Sequence, residues 1–267
     1  MIKVRDIAYA RFKAPDLDVM EEFLRDFGLE RSARTETALY MRACSSEHHV
    51  HITELGEPAF VGMAFCAANE ADLHTLSDSP AASDMMDINE PGGGQRVCLT
   101  DPDGFQVEVV HGMEQLKPIE VCNNFKPNCG TRYERMGEFV RLERGPAQCL
   151  RLGHVVIGVR DFKQTNQFYK SHFGFLDSDV CFEGEKENIV LTFNRVDRGQ
   201  EFVDHHILLT APTGRAELGH IAFEVEDINA VQLGHEHLQS KGYQHSWGVG
   251  RHVLGAQIFD YWFDPYG

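Results

Sequence analysis

Along this chain the apolar positions change from a strand-like to a helix-like period, and they do so in the same order twice. In "IAYARFKAPDLDVMEEFLRDFGL" (7–29) a β-rich run precedes an aspartate able to cap a helix, an apolar-periodic helix and a closing Phe-Gly. "GHVVIGVRDFKQTNQFYKSHFGF" (153–175) has the same order. "SEHHVHITEL" (46–55) then lines up with "VDHHILLTAP" (203–212), and "VGMAFCAANEADL" (61–73) with "GHIAFEVEDINAV" (219–231). An Asp-Pro-x-Gly turn closes each series. The offset drifts only from about 145 to about 163 residues, so the chain reads as an internal repeat.

Inside each half a β–α–β–β–β order occurs twice, which predicts an α+β fold of four βαβββ modules of about 50 residues each. The expected division is a first domain over 1–113, a linker over 114–150 rich in Pro, Gly and polar residues, and a second domain over 151–267. In the first half "CLTDPDGFQVEVV" (98–110) runs from its turn into a strand carrying Glu108, four residues after Gly104. The second turn, in "GRHVLGAQIFDYWFDPYG", ends at Gly267. By the repeat, one further strand bearing a glutamate is expected after it.

Composition narrows the function classes. With 267 residues and 42% hydrophobic content the chain can bury a full core. A net charge of -16 and the absence of a basic block argue against a nucleic-acid surface. The N-terminus has no apolar signal core, and no run approaches the ~18 apolar residues that a membrane span requires, so a cytoplasmic protein is expected. Seven cysteines without a CxxC pair predict reduced, structural thiols.

The candidate chemistry lies in the second half. His154 and His220 each follow a glycine and head an apolar run, and pseudo-symmetric pairing of the modules would bring them together as neutral imidazole ligands for a first-row metal. Their first-half equivalents are Tyr9 and Gly62, so with Glu108 alone remaining the first half is expected to be metal-free. The pair His205 and His206 has an echo in His48 and His49, and only one of each pair can face the cup. "GHEHLQSKGYQH" (234–245) reads as a solvated helix with its exit loop, and "PGGG" (91–94) as a turn.

Together "LGHVVIGVRDF", "HHILLT", "LGHIAFEVEDI" and "GVGRHVLGAQIFDYWFDPYG" resemble the type I extradiol ring-cleaving dioxygenases of the vicinal oxygen chelate (glyoxalase/bleomycin resistance/dioxygenase) superfamily. The resemblance spans both halves and is specific in the second. It implies a non-haem Fe(II) centre, or Mn(II), bound by His154, His220 and a glutamate just beyond Gly267. It also implies a small aromatic diol and O2 as substrates, and a homo-oligomer. His206, Tyr261 and His252 match the acid–base and substrate-contacting residues, while Phe193, Trp247 and Val156 would wall the substrate and oxygen pocket. The rival functions on the same fold are a glyoxalase-type metal isomerase and a non-catalytic small-molecule-binding protein.

Overall fold

Aspartates set the starts of three of the four helices among the described residues, and Asn69 that of the other. Asp16 accepts hydrogen bonds from the Asp18 and Val19 backbone N–H groups at 2.8 and 3.1 Å, and so starts a helix whose Leu17, Met20, Phe23 and Leu24 are buried. Asp161 does the same for Gln164 N–H at 3.0 Å, ahead of buried Thr165, Tyr169 and Phe173 at a spacing of four. Left-handed Gly28 and Gly174 close the two helices.

The computed structural model describes residues 1–121, 130, 131, 133, 136, 137 and 143–267, so much of the expected linker, with Cys122 and Cys129, lies outside the described residues. The first half runs β1 (Val4–Ala14), α1 (Leu17–Phe27), β2 (Glu30–Arg34), β3 (Ala38–Arg42), β4 (His51–Leu55), then β5 (Ala59–Ala67), α2 (Glu70–Ser77), β6 (Met86–Asp87), β7 (Gln95–Thr100) and β8 (Gln106–His111). The second half runs β9 (Arg151–Gly158), α3 (Phe162–Phe173), β10 (Leu176–Phe182), β11 (Ile189–Arg195), β12 (Leu208–Ala211), then β13 (Glu217–Glu224), α4 (Ile228–Lys241), β14 (His245–Arg251) and β15 (Ile258–Trp262). This is the α+β architecture expected of the vicinal oxygen chelate fold, with the βαβββ order complete in the first three modules and reaching β15 in the fourth.

Three sheets form among the described residues, ordered β2-β3-β4-β1-β5-β8-β7-β6, β10-β11-β12-β9-β13 and β14-β15. In each complete module the first strand pairs in parallel with the last, and the modules of a half meet where their first strands run antiparallel, β1 with β5 and β9 with β13. His154 and His220 therefore lie within the paired first strands β9 and β13, at the fourth residue of each rather than at the strand starts.

The halves share one hydrophobic core. Phe65 of β5 packs on Phe173 and Phe175 of the second half at ring distances of 5.5 and 5.4 Å, and Phe27 of α1 packs on Phe223 of β13 at 5.9 Å. Polar clasps cross the same boundary. In the first Asp-Pro-x-Gly turn, Asp103 accepts from Arg160 N–H at 2.8 Å and from the Thr165 hydroxyl at 2.7 Å, while Asp101 accepts from the Tyr169 hydroxyl at 2.9 Å. On the other side Asp26 of α1 accepts from His237 at 2.8 Å and from the Tyr243 hydroxyl at 2.9 Å. The segment 234–245 is the largely exposed helix end and exit loop expected, but its histidines are spent on contacts between elements.

Register identifies the equivalent positions. On β9 and β13, His154 pairs with Ala222 and Val156 with His220; on β1 and β5, Tyr9 pairs with Ala64 and Arg11 with Gly62. Tyr9 and Gly62 thus occupy the places of His154 and His220. A Cβ at Gly62 would lie 1.8 Å from the Gln106 carbonyl oxygen, so no side chain fits there. Glu108, 2% exposed, accepts from the Tyr9 hydroxyl at 2.7 Å, Gln106 Nε2 at 2.8 Å, Arg96 Nη1 at 3.0 Å and Arg11 Nε at 3.1 Å. Arg11 and Arg96 also reach Glu90, at 2.9 and 2.8 Å. Burial pulls the Glu90 carboxyl upward, but the two guanidinium groups outweigh it and hold it below its ordinary value. The first-half cup is filled by a neutralised ionic network of its own side chains.

Two stability predictions follow from these contacts. Asp103→Ala leaves the Arg160 N–H and the buried Thr165 hydroxyl without their acceptor, and should lower unfolding free energy in urea by about 2 kcal/mol. A change below about 0.5 kcal/mol, the range of neutral surface substitutions, would show that the clasp is dispensable. Arg11→Met leaves buried Glu108 short of a counter-charge and should cost about 3 kcal/mol. Adding Glu108→Gln should recover part of that loss; a double variant weaker than the sum of the two single ones would contradict the charge-balance account.

Candidate metal centre

The strand pattern of β9, "RLGHVVIG", sends Leu152, Val155 and Ile157 into the core and leaves His154 on the side of the cup. β13, "ELGHIAFE", brings His220 in from the facing strand, one register step away diagonally. The two Nε2 atoms lie 3.2 Å apart. Burial, followed by the neighbouring histidines, drives His154 well below the usual histidine range, and burial followed by His252 brings His220 down to about 4. Both rings are therefore neutral near pH 7 and carry lone pairs suited to a first-row metal.

The remaining predicted residues gather round this pair. The His206 ring lies 4.1 Å from that of His154, is 3% exposed, and is pushed down to about 3 by burial first and by His205 second. The Tyr261 ring stands edge-on to His220 at 4.8 Å, and its hydroxyl is 2.9 Å from His252 Nε2. Burial raises the Tyr261 phenol above its ordinary value, so it stays protonated and can donate. His154, His206, His252 and Tyr261 line a cavity of about 510 Å³ whose walls include Phe223 and Trp262. That space accommodates a small aromatic ring.

The three predicted pocket walls sit behind that lining and are not among its described residues. Phe193 of β11 stands edge-on to His206 at 5.0 Å and so fixes the ring plane of the imidazole. Trp247, 59% exposed, stacks parallel to Tyr261 at 5.8 Å. Val156 is buried as the register partner of His220.

Two features of the site were missed from the sequence. His205 Nδ1 is 3.0 Å from His206 Nδ1, and His205 Nε2 is 2.8 Å from the Asp179 carboxylate on β10. Nothing in the spacing of residues 179 and 205 signals that meeting, since β10 reaches the histidine pair only through the fold. The second is a group of three candidate ligands, His235, His245 and Asp260, whose ligand atoms all lie within 4.8 Å of one another. It is the only such group of three among the described residues, so His154 and His220 stand as a pair.

Comparison with known proteins agrees with this geometry. The model of the glyoxalase/bleomycin resistance protein/dioxygenase superfamily matches residues 151–267, the half that holds the histidine pair. The chain is 29% identical over 266 residues to metapyrocatechase 2 of Cupriavidus necator, covering 99% of this chain and 79% of that protein. It is 23% identical over 287 residues to an iron-dependent extradiol dioxygenase of Rhodococcus jostii (strain RHA1), covering 100% of this chain and 87% of that protein. Among solved structures, the Mn(II)-bound glyoxalase of Novosphingobium aromaticivorans superposes with a TM-score of 0.82 at 21% identity, over 100% of this chain and 81% of that one, which speaks for the fold alone. The second half, residues 151–267, thus matches the glyoxalase/bleomycin resistance protein/dioxygenase superfamily, and the whole chain is similar in sequence to metapyrocatechase 2 and to an iron-dependent extradiol dioxygenase.

Proposed function

We propose that this protein cleaves the ring of a catechol-type substrate with O2, at a non-haem Fe(II) centre held by His154 and His220. The observation that carries the proposal is the pair of buried, neutral imidazoles whose Nε2 atoms meet at 3.2 Å beside a cavity lined by His206, Tyr261 and His252. The donor set suits the metal, because two imidazoles with one carboxylate form the facial triad of non-haem iron oxygenases. Glu108 marks where a carboxylate enters a cup of this kind; the matching position of the second half, four residues after the turn glycine, falls after residue 267. Mn(II) fits the same donors.

Iron held by His154 and His220 would supply a Lewis acid for the chemistry of the diol and dioxygen. The chain's own groups then do the proton work. His205 Nε2–H donates to Asp179, which turns the Nδ1 side of that ring toward His206 as the acceptor. His206 Nδ1–H donates to that nitrogen, so His206 Nε2 keeps its lone pair and can accept the diol proton. The imidazolium so formed is stabilised by the carboxylate two bonds away and can return the proton to oxygen later. Tyr261 donates its hydroxyl proton to a substrate oxygen, with His252 as the present acceptor holding the phenol in place. Phe193 and Trp247 keep the His206 and Tyr261 rings in their planes.

The decisive assay is Fe(II)-dependent oxygen uptake with catechols, followed by the visible absorbance of a ring-opened semialdehyde; a glyoxalase-type isomerase on this fold would show neither. His154→Ala or His220→Ala should abolish bound iron in metal analysis while circular dichroism stays native. Full iron occupancy in either variant would remove that residue from the ligand set. His206→Ala and Tyr261→Phe should retain iron and lose about 10²- to 10⁴-fold in turnover, the usual worth of acid–base assistance. If they lose iron with the fold intact, their place is at the metal.

A further inference from the structure

The cluster of His235, His245 and Asp260 takes no part in the chemistry above. His235 comes from α4, His245 opens β14 and Asp260 lies in the middle of β15. His235 Nδ1 lies 3.0 Å from Asp260 Oδ2, and His245 Nε2 lies 2.8 Å from Oδ1. Asp260 is 9% exposed by its side chain, His235 20% and His245 33%, so the group is sheltered yet reachable. Asp260 reaches toward α4, and it and His235 also border the cavity that Tyr261 lines.

We propose that these three residues form a second metal site, of the zinc class, separate from the His154–His220 pair. Two imidazoles and one carboxylate are the donors a borderline ion such as Zn²⁺ selects, whereas Ca²⁺ and Mg²⁺ want oxygen throughout. A tetrahedral ion with bonds of ~2.0–2.1 Å spaces its ligands ~3.3 Å apart, so small outward shifts of the two rings make room for it. Three protein ligands leave the fourth position to water. The surroundings also fit a metal site. Trp262 Nε1–H donates to Asp260 Oδ2 at 2.6 Å and fixes the carboxylate, as an outer hydrogen bond does for a metal-bound carboxylate. The indole ring lies 4.7 Å from His245 and 5.4 Å from His235, which shields one side from water. Gly248, the register partner of Asp260, carries no side chain, and a Cβ there would come within 2.9 Å of Oδ1. An ion at this place ties α4 to the β14–β15 hairpin, the element that carries Tyr261 and precedes it with His252.

The test uses Zn²⁺ alone and does not depend on ring cleavage. In chelator-stripped His154→Ala/His220→Ala protein, one equivalent of Zn²⁺ should remain bound after desalting and raise Tm. Asp260→Asn, which keeps the size and one acceptor oxygen, should weaken that binding by at least tenfold in the same background, and His235→Ala/His245→Ala should remove it. Should the multiple variants fail to fold, anomalous scattering at the zinc edge from crystals of the unsubstituted protein decides: a peak between the three side chains supports the site. No Zn²⁺ bound to the His154→Ala/His220→Ala protein, or a peak elsewhere with none here, overturns it. Absence of ring cleavage with the Zn²⁺ result intact would count against the proposed activity only.

Discussion

Charge balance around buried polar side chains is the constraint on which both halves are built. In each half two first strands lie antiparallel and side by side and carry such side chains, and an uncompensated ion among them is costly. The halves meet the constraint in different ways. In the first, two guanidinium groups answer the Glu108 side chain, with Tyr9 and Gln106 completing its hydrogen bonds. In the second, burial holds His154, His206 and His220 neutral, so the three imidazoles offer lone pairs. The same scaffold thus gives a self-satisfied network on one side and a set of donors on the other.

The first half still contributes to the second. Thr165 and Tyr169 of α3 are anchored on the first-half turn, and Phe173 and Phe175 pack on Phe65, so the module that starts with β9 is seated against β5. From the other direction α4 is seated on α1 through His237 and Tyr243. The position of His220 relative to His154 is set by the β9–β13 ladder, whose outer faces are covered by these contacts. A half whose cup is filled by its own side chains therefore remains as a structural partner, its polar residues spent on clasps.

The fold was legible in the sequence because its evidence is periodic and repeated. Aspartate caps, Phe-Gly helix ends and Asp-Pro-x-Gly turns recur in order, and local chemistry suffices to read each of them. The identity of Tyr9 with His154 and of Gly62 with His220 in position was readable from the same alignment, and the strand register agrees with it. What could not be read was long-range polar pairing. Arg11 sits in an apolar strand, and that oddity was the available signal for a buried counter-charge, but its partners lie 43, 79 and 97 residues away. The histidines of α4 misled for a related reason. Their spacing gives no shared helix face, yet each one meets a carboxylate from a different distant element, Asp260 for His235 and Asp26 for His237.

The adjacent histidines show how the repeat turned packing into chemistry. His48 and His49 meet through Nδ1 at 3.0 Å, and His205 and His206 meet through Nδ1 at the same 3.0 Å, so this contact belongs to the fold and existed without any reaction to serve. In the first half it leads nowhere useful: His49 packs on Tyr9 and Tyr40, its Nε2 has no hydrogen-bond partner, and the nearest carboxylate to His48, that of Glu114, is 4.0 Å away. In the second half Asp179 stands 2.8 Å from His205 and orders the protons along both rings. One acidic side chain on a neighbouring strand therefore fixes which nitrogen of His206 is bare. With Tyr9 replaced by a smaller ring at position 154, that nitrogen belongs to a residue lining an open cavity. The two histidine pairs share the same ring-to-ring contact and differ in their surroundings: the second has a carboxylate at one end and an open cavity at the other, which is what the proposed proton relay requires.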